Sequence, residues 1–484
     1  MQLTIFGVLV IAIGLILLFS ASRMAMMLFV LAVTLLGGSA AISLPALGGS
    51  TIPPAHLAIV FLVARALVPG KVGMADVGRS IEANFVLVFF VLYGVVGAMV
   101  LPRLFQNAIL ITPLRPNPTR DVFAVEALHF TNQNVTVAVY YMATLFAAFG
   151  GWILTRDSRA QAALPRAAAV IGLVHAVLGL LSVILKDPLA GFFGFFRNGF
   201  YAQLDQSVGD IARMNGIFAE PAIYAVYGFS WFVFLFELWL RRIEPRLTGL
   251  AAAVLGTALL LSTSSTAYIG LAGYGLILAT RFLLIPGTVT SRQLMILLGT
   301  GLLMVTMALA LAAALPDVGA KIASVIDKVT VGKIDTESAI QRAFWAKQGI
   351  AAFVTSNGLG IGPGSFRSSS LLTAILGSMG VLGSVAFVWH LGRVFMPLRK
   401  STWITVADPR TAIGAAASWT SLIMLIPPSF SAASPDPGIL WGAFTGLALG
   451  LRSLPDRNGP DARLSWQSAS EQPALVGAGN VGNA

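Results

Sequence analysis

The chain has 484 residues, of which 57% are hydrophobic and only 11% charged, and its mean hydropathy is +0.84. A soluble domain carries roughly 25% charged residues, so an ordinary soluble enzyme is excluded. The composition is that of a polytopic helical membrane protein, in which each span needs about 20 apolar residues to cross about 30 Å of hydrocarbon. There is no cysteine, which removes thiolate nucleophiles, disulfides, Cys-ligated zinc and iron–sulfur clusters. His56, His129, His175 and His390 lie too far apart in sequence to make a helical metal-ligand pair. No metal and no cofactor are expected. The net charge of +11 fits basic cytoplasmic loops and calls for no nucleic-acid partner.

In chain order, apolar runs predict spans over 3–20, 24–37, 55–68, 84–101, 134–154, 167–185, 222–240, 248–262, 265–280, 293–315, 371–395, 411–427 and 438–451. The runs 24–37, 55–68 and 438–451 are short enough to be tilted or re-entrant. The expectation is therefore an all-α integral membrane protein with about 12–13 transmembrane helices over 1–452. The first run has no basic stretch before it and no small-residue cleavage site before Arg23, so it is expected to stay as a span. No internal repeat of the transporter kind is evident.

Charge density sets the orientation. The short loops 155–166, 241–246, 281–292 and 393–410 hold 12 basic residues in 48 positions, against 12 in 123 for the loops 102–133, 186–221 and 316–370. Dense short loops belong in the cytoplasm, and long loops cross largely regardless of charge. The tail 453–484, rich in Ser, Gly, Ala and Asn, is then cytoplasmic and expected to be disordered. The orientation of the N-terminus is left open by the weak first hairpin.

The external loops 186–221 and 316–370 carry most of the candidate chemistry. Within 319–331, Ile322, Val325, Ile326 and Val329 recur at helical spacing, as in an amphipathic interfacial helix. A second short helix is predicted over 337–354.

Arg213, Asn215, Gly216, Phe218, Glu220 and Pro221 form the first cluster, just before the span at Ala222. Pro221 suits a first helical turn, and Glu220 sits at the positive end of the helix dipole. The same pattern would serve as a plain helix cap with a local Arg–Glu pair. The second cluster runs from Asp335 to Gln348 and includes Glu337, Arg342 and Lys347. Gln341, Trp345 and Gln348 share one helix face, a polar-aromatic stripe beside a cation that would suit a saccharide or an interfacial helix alike.

A third cluster contains Gly358, Gly360, Gly362, Gly364, Ser365 and Arg367. Its glycines would let a backbone approach an anion, and Arg367 offers a fork of donors to phosphate oxygens. It matches no phosphate-loop fingerprint, and a tight loop before the span at Leu371 is the alternative. The Ser262–Thr266 turn reads as small residues packing helices. His129 is a candidate proton donor or acceptor. Asp205, Asp210, Asp327 and Asp335 are the carboxylates available in these loops.

The ordered set resembles the O-antigen polymerase/ligase superfamily: Arg213-x-x-Gly216-x-Phe218-x-Glu220-Pro221 opening a span, a Ser/Thr-rich turn, a long loop, an Arg-containing helix, then Gly360-x-Gly362-x-Gly364-Ser365-Phe366. The resemblance covers about 130–450. It implies metal-independent, inverting glycosyl transfer at the periplasmic face of the bacterial inner membrane. The donor would be an oligosaccharide on undecaprenyl diphosphate, with a chain-length regulator or an export complex as a further partner. By matching segment, Arg213, Arg342 and Arg367 would bind the diphosphate. Separately from the resemblance, Glu220 and Glu337 are the candidates to deprotonate the acceptor hydroxyl. Where the ligases carry a histidine after the glycine loop, this chain has Arg367-Ser368-Ser369. That departure favours a Wzy-type polymerase over a ligase. A transporter of lipid-linked glycan is a third reading, which would call for mid-span charges; the candidates are few, since Arg65 and Glu237 lie near span ends and His175 stands alone.

Overall fold

The computed structural model describes residues 2–20, 22–44, 50–68, 74–115, 123–199, 207–208, 211–285, 287–314, 337–404 and 408–452. The expected helix over 319–331, the tail 453–484, and Asp205, Asp210, Asp327 and Asp335 lie outside these residues. The described chain is helical apart from three short antiparallel sheets, the largest formed by β1 (Gln2–Leu3), β2 (Ile42–Leu44) and β3 (Ser50–Ile52).

The helices are α1 (Ile5–Ser20), α2 (Arg23–Val33), α3 (Pro54–Leu67), α4 (Met74–Ala83), α5 (Phe85–Leu104), α6 (Asn132–Leu154), α7 (Ser158–Ile184), α8 (Ala190–Phe196) and α9 (Pro221–Leu240). They continue as α10 (Pro245–Leu261), α11 (Ser265–Leu284), α12 (Ser291–Ala314), α13 (Glu337–Thr355), α14 (Leu371–Phe395), α15 (Lys400–Trp403), α16 (Pro409–Ile423) and α17 (Ile439–Arg452). Every predicted span falls on one of these. Seven are long and apolar enough to cross a membrane: α5, α6, α7, α9, α11, α14, and α16 with the turn after it to Phe430. The remaining apolar helices α1, α2, α3, α10 and α17 are shorter, and of α12 the stretch Ser291–Met307 is counted with them. This is a multi-pass, all-helical membrane protein.

Three details differ from the sequence reading. The helix drawn from 167 begins at Ser158, because Asp157 caps it through the Arg159 N–H (2.9 Å) and the chain stays helical across Pro165. A proline removes one backbone bond without always ending a helix. The basic residues Arg159 and Arg166 therefore lie on a helix, not in a loop. The short helices α4 and α8 had no counterpart in the expected spans. Finally, Arg241 and Arg281, counted as loop charges, are buried around Glu237. Tyr274 also donates to that carboxylate (2.8 Å), Arg241 reaches the Thr402 carbonyl (3.1 Å), and Arg281 stacks on Trp419 (4.0 Å). One carboxylate thus ties α9, α11, α15 and α16 together.

The tightest helix pair is α6 with α17. Gly442, Gly446 and Gly450 repeat every fourth residue along α17, and a Cβ at these positions would overlap Thr144, Ala148 and Thr155 of the facing chain. Gly151 does the same from α6 against the Ala443 carbonyl. Small residues at this spacing let membrane helices approach backbone to backbone.

The described parts of the long loops share one face. The Arg367 N–H donates to the Thr112 carbonyl (2.9 Å), which joins the loop after α5 to the loop before α14. Gly199 N–H donates to the Gly38 carbonyl (3.1 Å), and Thr4 N–H to the Ala41 carbonyl (3.0 Å). The N-terminus therefore lies on the same face as the long loops, an orientation that charge counting left open.

Candidate functional site

The first motif is built by a buried arginine that the sequence reading passed over. Arg197, just after α8, donates to the Gly216 carbonyl (2.9 Å) and to the Asn215 carboxamide (2.7 Å). Ser182 of α7 accepts the Gly216 N–H (3.1 Å). Gly216 has φ +51°, in the left-handed region that glycine enters without a Cβ penalty. Phe218 packs edge-on to His175 and against Tyr227, with centroids 5.2 and 4.9 Å away. Asn215, Gly216 and Phe218 thus fix the backbone, and Arg213 and Glu220 are left half-buried on either side of it.

Glu220 occupies the N-cap position of α9, with Pro221 following, yet its side chain makes no capping bond. Its charge acts instead on two guanidiniums. Burial pushes Arg213 below the ordinary guanidinium value, and nearby Arg342 pushes it further; Glu220 and Tyr268 push back. Burial likewise lowers Arg342, opposed by Glu220. Arg342 comes from α13, 129 positions further along the chain, so the fold brings two of the sequence candidates together around one carboxylate. The buried Arg213 Nε has no hydrogen-bond acceptor. Two repelling cations share a single counter-charge, and a buried donor is left unmet. An anion would satisfy both.

Arg367 stands beside this pair, its guanidinium 4.5 Å above the Trp345 ring. Ser369, two residues on, donates to the Arg342 carbonyl (2.5 Å), which locks the loop to α13. Trp345 is only 9% exposed, so its ring is a platform for Arg367 and not an open surface for a sugar. Its indole N–H is buried without an acceptor. Gln348 is committed to the backbone and hydroxyl of Thr112 (both 2.9 Å). Gln341 is half-buried and Lys347 exposed on the same helix, which Glu337 opens.

Gly358, Gly360, Gly362 and Gly364 all have positive φ. Gly362 lies against Pro102 and Gly97 of α5, and Gly364 against Gln133 and Asn134 at the start of α6. Asn134 donates to the Pro363 carbonyl (2.8 Å) and to the Ser365 hydroxyl (3.0 Å), which in turn donates to the Ile361 carbonyl (2.9 Å). The conformation and close packing account for Gly362, Gly364 and Ser365, and together they hold Arg367 in place. His129 is exposed, its Nδ1 2.9 Å from the Ala127 carbonyl.

One neighbour was missed in the sequence, and the Ser262–Thr266 turn was read there only as small residues packing helices. Tyr268, in the first turn of α11, acts electrostatically on Arg213. At the α10–α11 turn, the Ser264 hydroxyl is buried without a partner. The Ser/Thr composition of that turn carried the signal. Comparison with protein-family models, with curated proteins and with solved structures gives no match.

Proposed function

We propose that this protein is a polymerase of bacterial surface polysaccharide, joining undecaprenyl-diphosphate-linked oligosaccharide repeat units at the periplasmic face of the inner membrane. One observation carries the reading: Arg213 and Arg342 converge on Glu220 with the Arg213 Nε unmet, on the face that bears the long loops. In the transfer, an acceptor hydroxyl oxygen attacks the anomeric carbon of the donor. The bond from that carbon to the phosphate oxygen breaks, and the electron pair leaves with undecaprenyl diphosphate. The hydroxyl proton passes to the Glu220 carboxylate and then to water, with Glu337 as the other candidate base. Arg213, Arg342 and Arg367 stabilise the charge growing on the leaving diphosphate, which is where such a reaction most needs help. Arginine does this without changing its protonation state.

The transport reading draws less support, because the deep charge network at Glu237 is already ion-paired. The test is to give the purified protein, reconstituted in liposomes with EDTA, a lipid-linked oligosaccharide and to size the products. A ladder of repeat units is the expected result. Transfer of a single glycan to an added lipopolysaccharide core would instead make it a ligase. Unchanged glycan moved between leaflets would make it a transporter.

A further inference from the structure

The turn from α10 into α11 carries three successive hydroxyls with different fates. Ser262 donates to the Leu259 carbonyl (2.6 Å) and Thr263 to the Ser262 carbonyl (2.8 Å). Ser264 is fully buried, and its hydroxyl has no partner among the described residues. It is also the N-cap residue of α11, with φ −103° and ψ 116°, yet it makes no capping bond. An N-cap serine ordinarily accepts one of the first-turn N–H groups, which have no acceptor inside the helix. Here that acceptor is withheld. Thr263 before it holds φ +51°, a left-handed conformation that β-branched residues rarely adopt and that gathers at ligand clamps.

This end of α11 lies beside the arginine site. Tyr268, in the first turn of α11, folds back over the turn, where its hydroxyl donates to the Leu260 carbonyl (2.9 Å) and also meets the Thr263 backbone. Arg213 is close enough to this phenol for each to act on the other's charge. The buried Arg213 Nε lacks an acceptor as well. With 20 residues, α11 places roughly half a positive charge at its amino end. A buried hydroxyl and a buried guanidinium N–H, both unmet, therefore accompany a helix amino end. What all three lack is a negatively charged acceptor, and a phosphate group at a helix amino end supplies one.

We infer that Ser264 and the amino end of α11 bind one phosphate of the lipid diphosphate, Arg342 binds the other, and Arg213 lies between the two. The site is thereby selective for a diphosphate over a monophosphate lipid, because only the diphosphate reaches both halves. The inference rests on the reading of Arg213 and Arg342 as a diphosphate site and adds the partner of the second phosphate.

The test is native mass spectrometry of the full-length protein in detergent, titrated with undecaprenyl diphosphate or undecaprenyl phosphate. The wild type should bind the diphosphate more tightly than the monophosphate. Ser264→Ala should weaken the diphosphate about tenfold or more, the value of a hydrogen bond to a charged group, and leave the monophosphate unchanged. Because the Ser264 hydroxyl makes no bond in the free protein, the same variant should melt no earlier than the wild type. Ser262→Ala, which removes a hydroxyl already committed to Leu259, should leave both affinities unchanged. Equal affinity of the wild type for the two lipids would overturn the inference while leaving the diphosphate reading of Arg213 and Arg342 in place. So would a Ser264→Ala variant that keeps its diphosphate affinity, loses both lipids equally, or melts earlier. A wild type that binds neither lipid would overturn both.

Discussion

Arg213 stands out because its surroundings leave work undone. Its neighbours Asn215, Gly216 and Phe218 are held by Arg197, Ser182 and ring packing, whereas its own buried Nε has no acceptor. Replacing it with alanine should leave the fold intact and cut the transfer rate by about 10²–10³, the usual loss for a donor aimed at transition-state charge. Glu220→Gln should cost about 10²–10⁴ through loss of the proton acceptor. Turnover of lipid-linked oligosaccharide checks both, with gel filtration as the control for folding.

A second residue-scale prediction concerns Asp436, in the connector between α16 and α17. Burial pushes its carboxyl up to about 6, against the opposing hydrogen bonds from Thr144 (2.8 Å) and the Gly438 N–H (3.3 Å). The folded protein thus holds this proton more tightly than the unfolded chain does. Its stabilising effect is full below about pH 4, is lost as pH rises to about 6, and changes no further above that. The melting temperature should therefore fall across this window in the wild type and fall less in Asp436→Asn.

At the scale of helices, Glu237 and the α17 glycines make opposite kinds of contact. Glu237 sits between Arg241 and Arg281, and Glu237→Gln would leave two buried guanidiniums without a counter-charge. Breaking a buried pair in this way costs about 3–5 kcal/mol, to be read from denaturant or thermal unfolding. Gly446 faces the Ala148 carbonyl, a backbone atom that cannot move aside. Gly446→Leu should therefore separate α6 from α17 and destabilise the protein by at least about 1–3 kcal/mol. Gly299, on α12 with nothing within 4 Å of its Cβ position, should accept the same change.

Apolar runs reported the helices well, because a span must be continuous to satisfy its backbone in lipid. It was blind to α4, whose residues Met74–Ala83 mix Asp76, Arg79 and Glu82 with only short apolar runs. The repeat Gly442, Gly446, Gly450 was legible as a close-packing signal and was not used. The glycines from Gly358 to Gly364 show the converse difficulty. A positive φ and a missing Cβ admit a ligand or a neighbouring helix equally, and composition cannot say which; Asn134 and Pro102 answer for Gly364 and Gly362.

Across the whole molecule, the two ends of the bundle carry different charge arrangements. The long-loop end brings Arg213 and Arg342 around Glu220, residues whose proximity no sequence spacing could reveal. The opposite end holds the paired network at Glu237 and the arginines around Asp76. The proposed chemistry on a diphosphate is placed at the first end, where Arg213 and Arg342 share Glu220 on the face that bears the long loops.

The most direct measurement is the polymerisation rate of reconstituted wild type, Arg213→Ala, Arg342→Ala, the double variant and Arg213→Lys, all at saturating lipid-linked oligosaccharide. The expected result is a ladder from the wild type, a loss of about 10²–10³ in each single alanine variant, and partial retention in Arg213→Lys, which keeps the charge without the guanidinium fork. A full-rate ladder from a correctly folded double variant would contradict a diphosphate site at these two arginines.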